Sequence, residues 1–222
     1  MTSPVKSTKP GKDSSGSVVV FVPGILTWPG AARNWSGRAV TWTHVNTPHK
    51  AEKVEYLSGP GASRILGQRN RVRKLARTLE FYRGFEITLV GHSNGCSVIL
   101  EALRTAALVG IRAHRLVFVA PTCDEDCERN GINGLMRRGK VGRLEVLMGG
   151  RDWQARLAGS WLGRLFGYGR MGVTGPVGCV PGRSDVIRCA DWGHSDWWGP
   201  GGHLRDQQFE WTMRKILRRL GP

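Results

Sequence analysis

The chain has 222 residues, 40% of them apolar, which suffices for one domain with a sizeable core and leaves no room for a second full one. Lysine and arginine number 33 against 17 aspartates and glutamates, a formal net charge of +16, which raises a nucleic acid or an anionic surface as partner. The basic residues are spread along helical stretches (Arg69, Arg71, Arg73, Lys74 and Arg77; Arg214, Lys215, Arg218 and Arg219) without the aromatics of an RNA or DNA motif, so solvated helix faces are expected and nucleic acid is not.

Residues 1–17 are polar, rich in Ser, Lys, Pro and Gly, and contain no apolar run. They read as a disordered leader, with one folded domain over 18–222. Residues 18–22, Val-Val-Val-Phe-Val, form a continuous β-branched and aromatic run, the pattern of a strand buried on both faces. Residues 34–50 suggest partial helix, and Val54-Glu55-Tyr56-Leu57 a short strand. After Gly59-Pro60-Gly61, the spacing of Ile65, Leu66, Val72, Leu75, Ala76 and Leu79 predicts an amphipathic helix over 62–82.

Next comes Ile87-Thr88-Leu89-Val90-Gly91-His92-Ser93-Asn94-Gly95-Cys96-Ser97-Val98-Ile99-Leu100. A strand-like run enters Gly-x-Ser-x-Gly, and an apolar stretch of helical spacing leaves it. A serine presented at a sharp strand-to-helix turn needs small residues two before and two after, so that strand and helix can pass closely. Gly91 and Gly95 meet that need. This context resembles the nucleophile elbow of the α/β-hydrolase family. The resemblance implies a mainly parallel sheet with helices on both faces, the first strand lying beside the elbow strand, and a compact domain with no large cap. It also implies that Ser93 is the nucleophile and that the amide of Asn94 faces a developing oxyanion. In the family the loop after the first strand supplies a second oxyanion amide. Pro23-Gly24 stands there, and since proline has no N–H to donate, Ile25 is the candidate.

Further strands are expected at 116–120 and 144–148, and the run Asp124-Glu125-Asp126 between them is expected to open a helix toward Met136, its charge complementing the dipole. Residues 167–172, Gly-Tyr-Gly-Arg-Met-Gly, spell a dinucleotide fingerprint, but helical spacing precedes them where a strand is required, so no dinucleotide is expected. A mobile flap and a packed helix are equally open for 155–172. A last strand is expected at 186–189, and Phe209, Met213, Ile216, Leu217 and Leu220 mark a C-terminal helix. Strands alternating with helices indicate a parallel sheet. Five cysteines, an odd number with no secretory signal, fit reduced thiols in a cytoplasm better than a disulfide framework, and their spacing does not suit a metal. No stretch approaches the roughly 18 apolar residues of a membrane span.

A serine hydroxyl needs a base, and the base needs an orienting acid. The family order along the chain is Ser, acid, His. His194 lies in the loop after the last strand and is preferred over His203, at the start of the final helix. Asp152 follows the 144–148 strand by four residues, in the usual family position for the acid. Asp124 follows the preceding strand by the same interval and is the alternative; Asp191 is read as a loop or solvent residue. Trp192, Trp197 and Trp198 flank His194, as packing under the loop or as the wall of an acyl pocket. The expected activity is hydrolysis of a small-molecule carboxylic ester or thioester through Ser93, His194 and Asp152, without cofactor or metal. The alternative is an idle hydrolase scaffold whose basic surface binds a polyanion.

Overall fold

The computed structural model describes residues 16–24, 35–55, 63–105, 110–165, 167–198 and 203–218, the side chains of 63–66 and 203–205 excepted. Strands β1 (Ser17–Val22), β2 (Lys50–Lys53), β3 (Glu86–His92), β4 (Ala113–Val119), β5 (Val141–Gly149) and β6 (Ser184–Cys189) form one sheet in the order β2-β1-β3-β4-β5-β6. Every pair is parallel, and β1 lies directly beside β3 as the resemblance implies.

Alternation along β1 explains why its five apolar residues are all needed. Val18, Val20 and Val22 join one core, shared with Leu75 and Leu79 of α2 (Ser63–Phe81), Ile99 and Leu103 of α3 (Gly95–Arg104), and Leu135 of α4 (Ile132–Arg137). Val19 and Phe21 join the other, with Trp35 and Ala39 of α1 (Trp35–Asn46) and Phe209, Met213 and Ile216 of α8 (His203–Leu217). A parallel strand covered by helices on both faces has no polar side to show. Three short helices, α5 (Trp153–Ala158), α6 (Trp161–Leu165) and α7 (Met171–Thr174), fill the connection between β5 and β6. The fingerprint-like residues 167–172 run from a turn into α7, with α6 and not a strand before them.

Among the described basic residues two are buried, Arg71 on α2, which departs from the solvated face expected for it, and Arg115 on β4. Arg115 on β4 clasps Glu145 on β5 through two parallel contacts, Nε to Oε1 at 2.8 Å among them, with side chains 3% and 2% exposed. It also donates to the Ile216 carbonyl, tying α8 to the sheet. A buried charge of this kind requires such full pairing.

Several expectations are corrected. Ser17 already belongs to β1 and the Gly16 carbonyl accepts from the Glu86 N–H at 2.9 Å, so only residues 1–15 of the leader lie outside the described chain. The second strand is Lys50–Lys53; of the stretch 54–57 expected to form it, Val54 and Glu55 follow the strand, and Tyr56 and Leu57 lie outside the described residues. It is an edge strand, which needs few apolar residues, and of its four only Ala51 is buried. The acidic run does not start a helix. Asp124 Oδ1 accepts from the Asp126 N–H (3.0 Å) and Asp126 Oδ1 from the N–H groups of Glu128 (2.9 Å) and Arg129 (3.0 Å), so the carboxylates close turns on their own backbone, and α4 begins six residues later.

The five cysteines are not all reduced. Cys127 and Cys179 form a disulfide, and Cys96, Cys123 and Cys189 take part in none. A short parallel bridge between Asp126 and Val177 brings the pair together, with the Cys127 N–H donating to the Val177 carbonyl at 2.9 Å. The 52-residue separation carries no motif, so only the fold reveals the pairing. The thiol argument for a cytoplasmic, reducing compartment loses its premise. No described helix is long and apolar enough to cross a membrane.

Candidate active site

Ser93 sits between β3 and α3 with φ 54°, in the left-handed region that a side chain rarely adopts. The position is held by a bond from its N–H to the Val119 carbonyl of β4 (3.0 Å) and by the tight crossing of strand and helix. A Cβ on Gly95 would lie 2.2 Å from the Val22 carbonyl oxygen, so only glycine lets α3 pass β1 this closely. The loop leaving β1 returns past the serine: a Cβ on Gly24 would be 2.9 Å from Ser93 Cβ. Ile25, the next residue, lies outside the described chain.

Asn94 is buried and serves as N-cap of α3. Its Nδ2 donates to Gln68 Oε1 (3.3 Å), and Gln68 Nε2 donates to Glu101 Oε2 (3.1 Å). The side chain is thus anchored toward α2. Its backbone N–H has no backbone acceptor among the described residues.

Asp152 and His194 meet. Both carboxylate oxygens lie at hydrogen-bond distance from His194 Nδ1, 2.9 and 3.0 Å. A carboxylate only accepts, so Nδ1 carries the proton and Nε2 is left with its lone pair. Asp152 is 1% exposed and also caps α5, accepting from the Ala155 N–H at 2.7 Å. The exits of β5 and β6 are zipped together, Gly150 N–H to the Cys189 carbonyl (2.9 Å) and Arg151 N–H to the Trp192 carbonyl (3.0 Å). Gly149 and Gly150 serve this contact and are not a flexible spacer: a Cβ on either would stand 2.2 Å from a carbonyl oxygen across the gap.

The competing acids are engaged elsewhere. Asp124 pairs with Arg129 at 2.6 Å. Burial pulls its pKa up, but Arg129 and the Asp126 N–H outweigh this and hold the carboxyl below its usual range. Asp191 is exposed and pairs with Arg151 at 3.0 Å. Asp196 accepts from the Gly193 N–H at 2.6 Å and shapes the histidine loop. His203 begins α8, its side chain outside the described set.

His92, between Gly91 and Ser93, is a residue that sequence reasoning passed over. Its Nε2–H donates to the His194 carbonyl at 3.0 Å, and the two rings stand 4.9 Å apart. Trp35 and Trp198 pack edge-on to it at 5.8 and 6.1 Å. Burial, then the neighbouring His194, pushes its pKa down to about 3, so the ring is neutral. The variable positions inside the elbow motif were the signal: a histidine there must pack somewhere close to the nucleophile.

Trp197 and Trp198 are fully buried, and Trp198 stacks on Trp35 at 3.9 Å. They are core beneath the loop and not a pocket wall; Trp192 is half-buried against Trp197 and Trp211. A cavity of about 770 Å³ lies between α1 and α8, lined by Arg38, Trp42, Asp206 and Phe209 among others, and includes none of the residues around Ser93. Among the described residues no group of His, Cys, Asp and Glu is arranged to hold a metal ion.

The six-stranded parallel sheet with its elbow serine is the α/β-hydrolase fold. Solved structures agree. The siderophore hydrolase EstB from Aspergillus fumigatus is 12% identical, with 95% of this chain and 92% of that chain covered and a TM-score of 0.56. Carboxyl esterase 2 from the mycorrhizal fungus Tuber melanosporum is 14% identical, covering 94% and 80%, at 0.54. A hydrolase assigned to the alpha/beta superfamily from Xanthomonas campestris pv. campestris is 12% identical, covering 91% and 98%, at 0.50. At such identities the likeness is one of fold. No protein-family model and no curated protein matches the sequence.

Proposed function

We propose that the chain is a serine hydrolase of carboxylic esters or thioesters, working through Ser93, His194 and Asp152. The observation that carries this is a buried carboxylate bonded to the Nδ1 of a histidine whose loop is tied to the residue preceding a left-handed elbow serine. The esterase and hydrolase names of the structural neighbours support the same class.

In the proposed reaction His194 Nε2 takes the Ser93 proton as Oγ attacks the ester carbonyl, and Asp152 stabilises the imidazolium that forms. The oxyanion is met by the Asn94 N–H at the head of α3 and by the Ile25 N–H. The imidazolium returns its proton to the departing alcohol or thiol, leaving an acyl-enzyme. Water, deprotonated by the same nitrogen, then releases the acid. The test is covalent capture: a fluorophosphonate should label the wild-type chain at Ser93 and leave Ser93→Ala unlabelled. A native protein that resists the reagent would favour the idle scaffold.

His92 acts in this scheme as a positioning residue, holding the backbone of the base. Its depressed pKa has a consequence for stability. Below about pH 6.5 the unfolded chain protonates this histidine, while the folded chain does not until about pH 3. The unfolded state therefore binds more protons across that window, and native stability falls as pH falls, by up to about 1.4 kcal/mol per pH unit. His92→Gln keeps a donor and cannot titrate. Urea midpoints at pH 7, 5 and 4 should drop less steeply for His92→Gln than for wild type; parallel losses would remove His92 as the cause.

A further inference from the structure

Five of the nine exposed large hydrophobic residues among those described fall within residues 153–165. Trp153 (63% exposed) and Leu157 (60%) stand one turn apart on α5, whose other side is seated on the fold through Ala155. On α6, Trp161 (72%) and Leu165 (73%) repeat that spacing, with Leu162 beside them, and no α6 residue is buried. Two successive helices thus present their bulkiest apolar side chains to water. Scattered exposed hydrophobics are ordinary, but a contiguous cluster of this kind marks a contact surface.

The polar fringe of the same segment says what the contact is. Residues 153–170 contain three exposed arginines, Arg156, Arg164 and Arg170, and no aspartate or glutamate. Arg156 donates to the Gly150 carbonyl, which leaves its charge uncompensated, and Arg164 reaches Glu125 at 3.1 Å. Tryptophan and leucine above a rim of arginine is the chemistry that settles into the headgroup boundary of an anionic bilayer. A second copy of the chain would bring the same arginines and another +16 against them. A nucleic acid would satisfy the arginines and leave Leu157, Leu162 and Leu165 in water.

We infer that α5 and α6 form a peripheral docking face for anionic phospholipid membranes. The inference does not depend on the hydrolase reading, because binding requires no turnover. It does bear on it: Asp152, which bonds to His194, caps α5, so the face starts at the edge of the candidate site.

The experiment is co-sedimentation of the full chain with vesicles of pure phosphatidylcholine and with vesicles containing a third phosphatidylglycerol, for wild type, Trp161→Ser/Leu165→Ser and Arg164→Gln. Since α6 buries nothing, the variants should retain wild-type circular dichroism and melting. Wild type should sediment with the anionic vesicles and barely with the neutral ones. The apolar double variant should bind at least tenfold more weakly, and Arg164→Gln measurably more weakly. Absence of wild-type binding, equal binding to neutral vesicles, or undiminished binding by the double variant would each overturn the inference. So would a concentration-dependent dimer, or oligonucleotide binding, that is lost in the double variant while vesicles are ignored. Fluorophosphonate labelling of the same samples reports the hydrolase reading separately.

Discussion

Ser93→Ala should fold as the wild type does and lose turnover of an activated short-chain ester by several orders of magnitude. Folding is expected to survive because alanine keeps the Cβ that packs against Gly24, and because it adds no strain that serine does not already carry at φ 54°. The chain already tolerates alanine in this conformation, since Ala120 sits at φ 46° at the end of β4. What disappears is the oxygen that becomes acylated, and loss of a member of such a triad leaves only the contributions of binding and the oxyanion site. The check is kcat/KM on a chromogenic acetate ester beside a thermal melt. A variant that melts like wild type and keeps most of its turnover would remove Ser93 from the chemistry.

What the sequence disclosed follows from how each element is buried. β1, β3, β4 and β5 sit inside the sheet with helices on both faces, so they must be written in continuous apolar residues and are recognisable one strand at a time. β2 lies at the edge and needs only Ala51 buried; its Lys-Ala-Glu-Lys sequence gives no such signal. The elbow was legible because close approach imposes glycine at fixed spacing around Ser93. The Asp126–Val177 bridge imposes no local pattern, and neither the disulfide it aligns nor the true setting of the acidic run was visible beforehand. The tryptophans beside His194 were ambiguous for a different reason: burial against Trp35 of α1 is a long-range fact that a loop sequence does not contain.

Asp152→Asn should lower turnover by up to about 10⁴-fold while leaving the fold nearly as stable. The two halves of this expectation come from the two bonds the side chain makes. As N-cap of α5, Asp152 accepts from the Ala155 N–H, and asparagine caps a helix about as well as aspartate, whereas Asp152→Ala would cost about 1 kcal/mol through the cap alone. Toward His194 the exchange is not neutral. The carboxylate accepts from Nδ1–H and so keeps the lone pair on Nε2; an amide can offer its own N–H to Nδ1, which moves the ring proton to Nε2 and disables the base. Asp124→Asn is the control. It removes a partly exposed pair with Arg129, a change of about 0–1 kcal/mol, and touches nothing bonded to His194. Rate measurements on the two asparagine variants, each with its melting temperature, decide between the carboxylates. Full activity in Asp152→Asn with collapse in Asp124→Asn would transfer the orienting role to the turn after β4 and leave Asp152 as a helix cap alone.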